Sequence, residues 1–76
     1  MRNFRQALEE FTKLMSNFPN SSKAPDALLK IGYCQYELGQ WAKARESLNQ
    51  VIARYAGKPA ATSAEQRLAK MKQEGH

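Results

Sequence analysis

Apolar residues recur along this chain at intervals of three and four. Phe4, Ala7, Leu8, Phe11, Leu14, Met15 and Phe18 follow the i, i+3, i+4, i+7 spacing that gathers side chains on one face of an α-helix. Ala24, Ala27, Leu28, Ile31, Cys34, Gln35 and Leu38 make a second stripe, and Trp41, Ala44, Leu48, Val51, Ile52 and Tyr55 a third. A fourth, of Ala61, Ala64, Leu68 and Met71, is thinner. Nowhere do apolar and polar positions alternate with period two for long enough to make a strand. The pattern predicts an all-α chain of four helices.

Helix-breaking residues fall between the stripes. Asn3 is placed to cap the first helix, with Gln6 positioned to close a capping box. Pro19 cannot continue that helix, so its expected end is Phe18, and Asn20-Ser21-Ser22 makes a loop. Pro25 suits the first turn of the second helix, where its missing donor costs least. Gly39 is expected to end it with a left-handed cap, so that Gln40 leads directly into the third. Gly57 and Pro59 stop the third helix. Two starts stay open for the fourth, Thr62 with Glu65 or Ser63 with Gln66, and the tail Gln73-Glu74-Gly75-His76 is expected to fray.

The stripes are related to one another. A shift of 37 residues lays Phe4 on Trp41, Ala7 on Ala44, Phe11 on Leu48, Leu14 on Val51, Met15 on Ile52 and Phe18 on Tyr55. The same shift carries Ala24 to Ala61, Ala27 to Ala64, Ile31 to Leu68 and Cys34 to Met71. One register held through both halves of a chain is the mark of a repeat. Gly32 sits inside the second helix, where glycine costs about 1 kcal/mol relative to alanine. A missing side chain there lets a neighbouring helix approach, and Ala44 is the expected small surface opposite. The result is a tight helix hairpin across the Gly39-Gln40 turn.

Composition narrows the chemistry. Hydrophobic residues make up 42% and charged residues 25% of the 76, which fits a folded helical domain rather than a disordered chain. No apolar run approaches the roughly 20 residues of a membrane span. The sole cysteine, Cys34, cannot form an internal disulfide, and on the apolar stripe it reads as a small buried hydrophobe. Met15 and Met71 read as gap fillers, and Trp41 as an anchor at the hairpin turn. The sole histidine, His76, is expected to have no ordered partner, and no metal site or cofactor is implied. A tuned general base and an adjacent nucleophile are both missing, so the chain is not expected to be an enzyme. Net charge is +5, but the basic residues are scattered, without aromatics interleaved on an exposed face. That pattern reads as a solvated helical surface, with a basic nucleic-acid-binding module as the alternative from another class.

Ile31-Gly32, Tyr36, Gly39, Trp41, Ala44, Leu48 and Val51 together resemble the tetratricopeptide repeat signature in order and spacing. Phe4, Ala7, Phe11, Leu14 and Pro19 are similar to the second half of a preceding repeat. The resemblance implies an α-α superhelix of antiparallel hairpins and a fragment of a longer array. Residues 1–19 would be the second half of one repeat, 22–56 a full repeat and 59–74 a terminal capping helix. Two departures stand out. Ala56 occupies the place of a closing proline, and the repeat is longer than the family's usual ~34 residues.

The extra length lies in the loop from Pro19 to Asp26. The run Phe18-Pro19-Asn20-Ser21-Ser22-Lys23-Ala24-Pro25-Asp26-Ala27-Leu28-Leu29-Lys30 resembles the C-terminal domain of the Tol–Pal-associated family of periplasmic cell-division coordinators, and Ala64-Glu65-Gln66-Arg67-Leu68 is similar to its last helix. That resemblance implies a periplasmic protein-interaction scaffold acting with the Tol–Pal machinery in constriction of the cell envelope. It also implies a signal peptide and a trimerising coiled coil upstream of Met1. The alternatives within the same fold are a tetratricopeptide lipoprotein of outer-membrane protein assembly and a cytoplasmic adaptor.

In such arrays the first helix of each pair lines a concave groove that holds a peptide. The resemblance places Asp26, Leu29, Tyr33, Tyr36 and Glu37 there, and these residues lie off the core stripe. Leu29 and Tyr33 are equally open to a role against a neighbouring repeat. A clamp for acidic C-termini needs Lys and Asn where Leu29 and Tyr33 stand, so that ligand is not expected. Gly32, Trp41, Ala44 and Leu48 are the expected packing residues. The broad apolar face of the first helix, left uncovered on its N-terminal side, implies a homo-oligomer, with a protein rather than nucleic acid or membrane as the further partner.

Overall fold

The computed structural model describes residues 3–76 of the chain. Four α-helices follow one another: α1 Phe4–Asn17, α2 Ala24–Glu37, α3 Trp41–Arg54 and α4 Pro59–Gln73. Each packs on the next, and α2 also touches α4, so the α2–α3 hairpin stands at the centre with one helix on either side.

The caps account for most of the boundaries. The Gln6 backbone N–H donates to Asn3 Oδ1 at 3.0 Å, which opens α1 as expected. The returning leg differs from a capping box, because the Asn3 side-chain amide, not its backbone, donates to Gln6 Oε1 at 3.3 Å. α1 ends one residue short of Phe18, whose N–H closes on the Leu14 carbonyl at 2.8 Å. At the end of α2, Gly39 takes φ 76°. The Gln40 N–H then reaches the Gln35 carbonyl at 2.8 Å, and the Gly39 N–H reaches that of Tyr36 at 3.0 Å. This is a Schellman cap, and it leads into α3 without a loop.

Two expectations about α4 are corrected. Its start is neither Thr62 nor Ser63 but Pro59, with extended Lys58 before it (φ −89°, ψ 153°). A proline's fixed φ and missing donor suit a first helical position, so Pro59 opens α4, whereas α3 has already ended at Arg54, ahead of both Gly57 and Pro59. The tail folds back on the helix end. Gly75 takes φ 84°, and the His76 N–H donates to the Met71 carbonyl at 2.8 Å, a second Schellman cap.

The centre of the core is Ala44, Leu48, Val51 and Ala64, all at 0% exposure, with Met71 at 1%. α3 does come close to α2 at Gly32, but the nearest side chain there is Leu48 rather than Ala44. A Cβ on Gly32 would lie 2.8 Å from Leu48 Cδ2 and 2.9 Å from Leu48 Cγ, with Ser47 Cβ at 3.5 Å. The contact therefore falls one turn further along α3, and the glycine makes room for a large side chain rather than meeting a small one. Beside it Ser47 Oγ donates to Gln35 Oε1 at 2.6 Å, so the one polar residue on the second stripe is satisfied across the hairpin.

The 37-residue register holds in three dimensions. α1 spans 4–17 and α3 spans 41–54, and Ala24, Ala27 and Cys34 are buried like Ala61, Ala64 and Met71. Burial, however, is unequal. α1 contains no buried residue, and Ala7, Phe11 and Leu14 stay half-exposed where their counterparts Ala44, Leu48 and Val51 are sealed.

Candidate functional site

The residues expected to line a groove do share one face of α2, but α4 reaches over part of it. Asp26 and Glu37 are exposed near the two ends of α2, and Tyr33 and Tyr36 between them are half-buried against the core. Leu29 is a correction. At 7% exposure it belongs to the core cluster, and it offers a partner almost no surface.

α4 supplies what inspection of α2 alone missed. The Arg67 guanidinium lies 4.2 Å from the centre of the Tyr33 ring and 4.9 Å from that of Tyr36. The Lys70 ammonium sits 5.7 Å from the Tyr36 ring. Cations above ring faces are attracted by the ring quadrupole. Aromatic and basic residues thus do interleave here, contrary to the sequence reading, because residues some thirty positions apart are brought together by the α2–α4 contact. The repeat register carried a usable signal, since the same shift lays Arg67 on Lys30 and Glu74 on Glu37. Lys30 in turn lies 5.6 Å from the Phe11 ring of the preceding helix.

Tyr36 also joins the groove face to a second cluster at the α2–α3 turn. Its hydroxyl donates to the Glu74 carboxylate. That hydrogen bond first, then partial burial and the nearby Glu74 and Glu37 charges, raise the phenol above its ordinary value, with Arg67 opposing. Tyr36 meets Trp41 edge-on, with ring centres 5.4 Å apart and planes at 69°. Trp41 in turn stacks on the His76 imidazole at 3.6 Å and 14°. Arg45 donates to the His76 carbonyl oxygen. His76 therefore does have an ordered partner, and Trp41 packs against the core with one face while receiving the tail on another.

The other candidates fall into place as packing. Cys34 is buried at 5%, and desolvation first, then the Glu37 charge, pushes its thiol above the ordinary value, which makes it a poor nucleophile. Met71 fills the core at 1% exposure, whereas Met15 is only partly covered. No helix of the described residues is long and apolar enough to cross a membrane.

Helix hairpins stacked in one register, each helix contacting its neighbours in sequence, define the helical repeat class. Within that class, residues 26–57 match the tetratricopeptide repeat family. The match runs from Asp26 in the first turn of α2 through α3 to the turn after it, a little under half of the chain, and with the four-helix arrangement it supports a tetratricopeptide-repeat protein. That family is a non-catalytic repeat scaffold for protein–protein interaction. No curated protein matches the chain.

Proposed function

We propose that this chain is a protein-interaction module of the bacterial cell envelope, working with the Tol–Pal system in cell division, and that it is not an enzyme. The observation that carries the binding part is the face made by Tyr33 and Tyr36 under Arg67 and Lys70. Aromatic rings with fixed cations above them and acidic residues at the ends of the helix supply both apolar contact and direction to a peptide. The envelope assignment rests on the likeness of the Phe18–Lys30 run and of Ala64–Leu68 to the coordinator family, and the compartment proposed with it is the periplasm. The segmentation proposed with it is a second half-repeat over 1–19, a full repeat over 22–56 and a capping helix over 59–74. The exposed remainder of the α1 stripe serves contact with a second copy.

Calorimetric titration against the soluble periplasmic domains of the Tol–Pal proteins tests the proposal. Saturable binding is expected with one of them, weakened by the paired change Tyr33→Ala, Tyr36→Ala while helical content stays intact. Unchanged affinity in a folded double variant would overturn the groove reading. No binding to any of those domains would leave the fold in place and move the chain to another pathway. The +5 net charge favours one rival, a nucleic-acid-binding module. Affinity for duplex or single strands that falls steeply with salt and ignores sequence would establish that rival instead.

A further inference from the structure

The cluster around Trp41 is not used by the groove described above, with which it shares only Tyr36. It is built from three elements of the central hairpin. The Trp41 indole, at the first position of α3, presents a flat face on which the His76 ring lies at 3.6 Å. Arg45, one turn along α3, donates to the carbonyl of the same residue, and Tyr36 on α2 donates to the carboxylate two residues earlier. The Gly39 cap lies beside the indole: a Cβ placed on this glycine would stand 3.9 Å from Trp41 Cζ2. A ring, a main-chain carbonyl and a carboxylate are thus each met by a matching group.

What fills this arrangement is a segment outside the regular helix. α4 ends at Gln73, and Gly75 takes a left-handed φ of 84° with open space around it. Rotation about Gly75 would lift His76 off the indole without unwinding α4. We propose that Tyr36, Trp41 and Arg45 form a recognition site for a short peptide of the pattern acidic residue, small residue, planar ring. Glu74–His76 occupies the site in cis and competes with a segment of the same chemistry from another chain. The face selects a planar ring because stacking at this separation needs two flat surfaces. It selects the acid because the phenol donor is directed at a carboxylate. The tail is held close by a short connection, so its effective concentration is in the millimolar range and it masks the site from dilute peptide.

Trp41 is the only tryptophan in the chain, so its emission reports on this site alone. The probes are the blocked tripeptides acetyl-Glu-Gly-His-amide and acetyl-Glu-Gly-Phe-amide, with acetyl-Glu-Gly-Ala-amide as the ringless control. The variant His76→Gly removes the cis ring from a position outside every helix, and circular dichroism monitors its fold. Both ring-bearing peptides should saturate the variant at least about tenfold more tightly than the parent chain, in line with a tethered competitor. The alanine peptide should not saturate. In the parent chain the His76 ring protons should be shifted upfield by the indole, and excess peptide should return them to free positions. Equal affinities for parent and variant would overturn the cis competition, and no saturation of either would overturn the site. The variant Tyr33→Ala, which weakens the groove, should leave tripeptide affinity unchanged. A matching loss there would show that the two surfaces are one.

Discussion

Substituting Gly32 should have opposite effects depending on what stands at residue 48. In a helix interior, alanine is favoured over glycine by about 1 kcal/mol. Against that, the new Cβ would arrive 2.8 and 2.9 Å from the Leu48 side chain, which has 0% exposure and therefore little room to turn away. Overpacking of a filled interior costs about 1–3 kcal/mol. The collision outweighs the propensity, and Gly32→Ala should lose about 1 kcal/mol, or roughly 4–8 °C in Tm for a domain of this size. Gly32→Leu should lose more. In a Leu48→Ala background both clashing atoms are gone, and the same Gly32→Ala change should stabilise by about 1 kcal/mol. The coupling across that double-mutant cycle is therefore about 2 kcal/mol, within the range found for residues in contact. Leu48→Ala alone costs about 2–5 kcal/mol. A domain of this length has about 4–11 kcal/mol in total, so the cycle is best run by urea denaturation with a stabilising osmolyte in every sample. If Gly32→Ala raises the midpoint in the parent chain, or if the two backgrounds respond alike, the inferred closeness of α2 and α3 at Leu48 is wrong.

Three further outcomes are expected. The phenol of Tyr36 titrates above its ordinary value of 10 because it donates to Glu74, so the stability it contributes is complete below pH 10 and is lost as pH rises through the folded-state value. Ultraviolet titration of Glu74→Gln should find Tyr36 ionising closer to its ordinary range, and an unmoved curve would contradict the hydrogen bond. Ser47→Ala leaves Gln35 without its donor and should lower stability by about 0.5–1.5 kcal/mol in urea melts, whereas an unchanged midpoint would mean that water replaces the hydroxyl at no cost. Sedimentation at micromolar concentration should report a dimer or larger species that Leu14→Glu returns to monomer, and a parent chain that is monomeric throughout would show that α1 needs no further cover.

The helices and their packing register were legible because both rest on apolar spacing, which a chain of this length states openly. Phe4 through Arg54 followed the reading almost residue for residue. The span 59–74 matches the fourth helix, but both of its caps escape a residue-by-residue reading for one reason. Pro59 reads in the sequence as a stop for α3 and Gly75 as part of a fraying tail, although each residue type also serves as a cap, and which role it takes is settled by the backbone on either side. The site was less legible. Tyr33 and Tyr36 could be found from their place off the core stripe, but Leu29 shared that place and proved buried, because three helices pack on α2 and cover more of it than a single stripe suggests. Arg67, Lys70 and His76 were invisible to a helix-by-helix reading. Their roles arise from contacts between elements, and only the polar half of the repeat register hinted at them.

The uneven burial of equivalent helices has a consequence for how the domain opens. α3, whose Ala44, Leu48 and Val51 are sealed, and α1, whose Ala7, Phe11 and Leu14 are not, obey the same sequence pattern but should hold their amide protons with different strength. In a stack of repeats, local opening runs from the least supported end. Hydrogen exchange should therefore be fastest in α1 and slowest in α3, with α1 detaching as a unit before the hairpin yields. Whatever covers α1 would then slow exchange in helices that it never touches, because each helix in the row is guarded by the one before it.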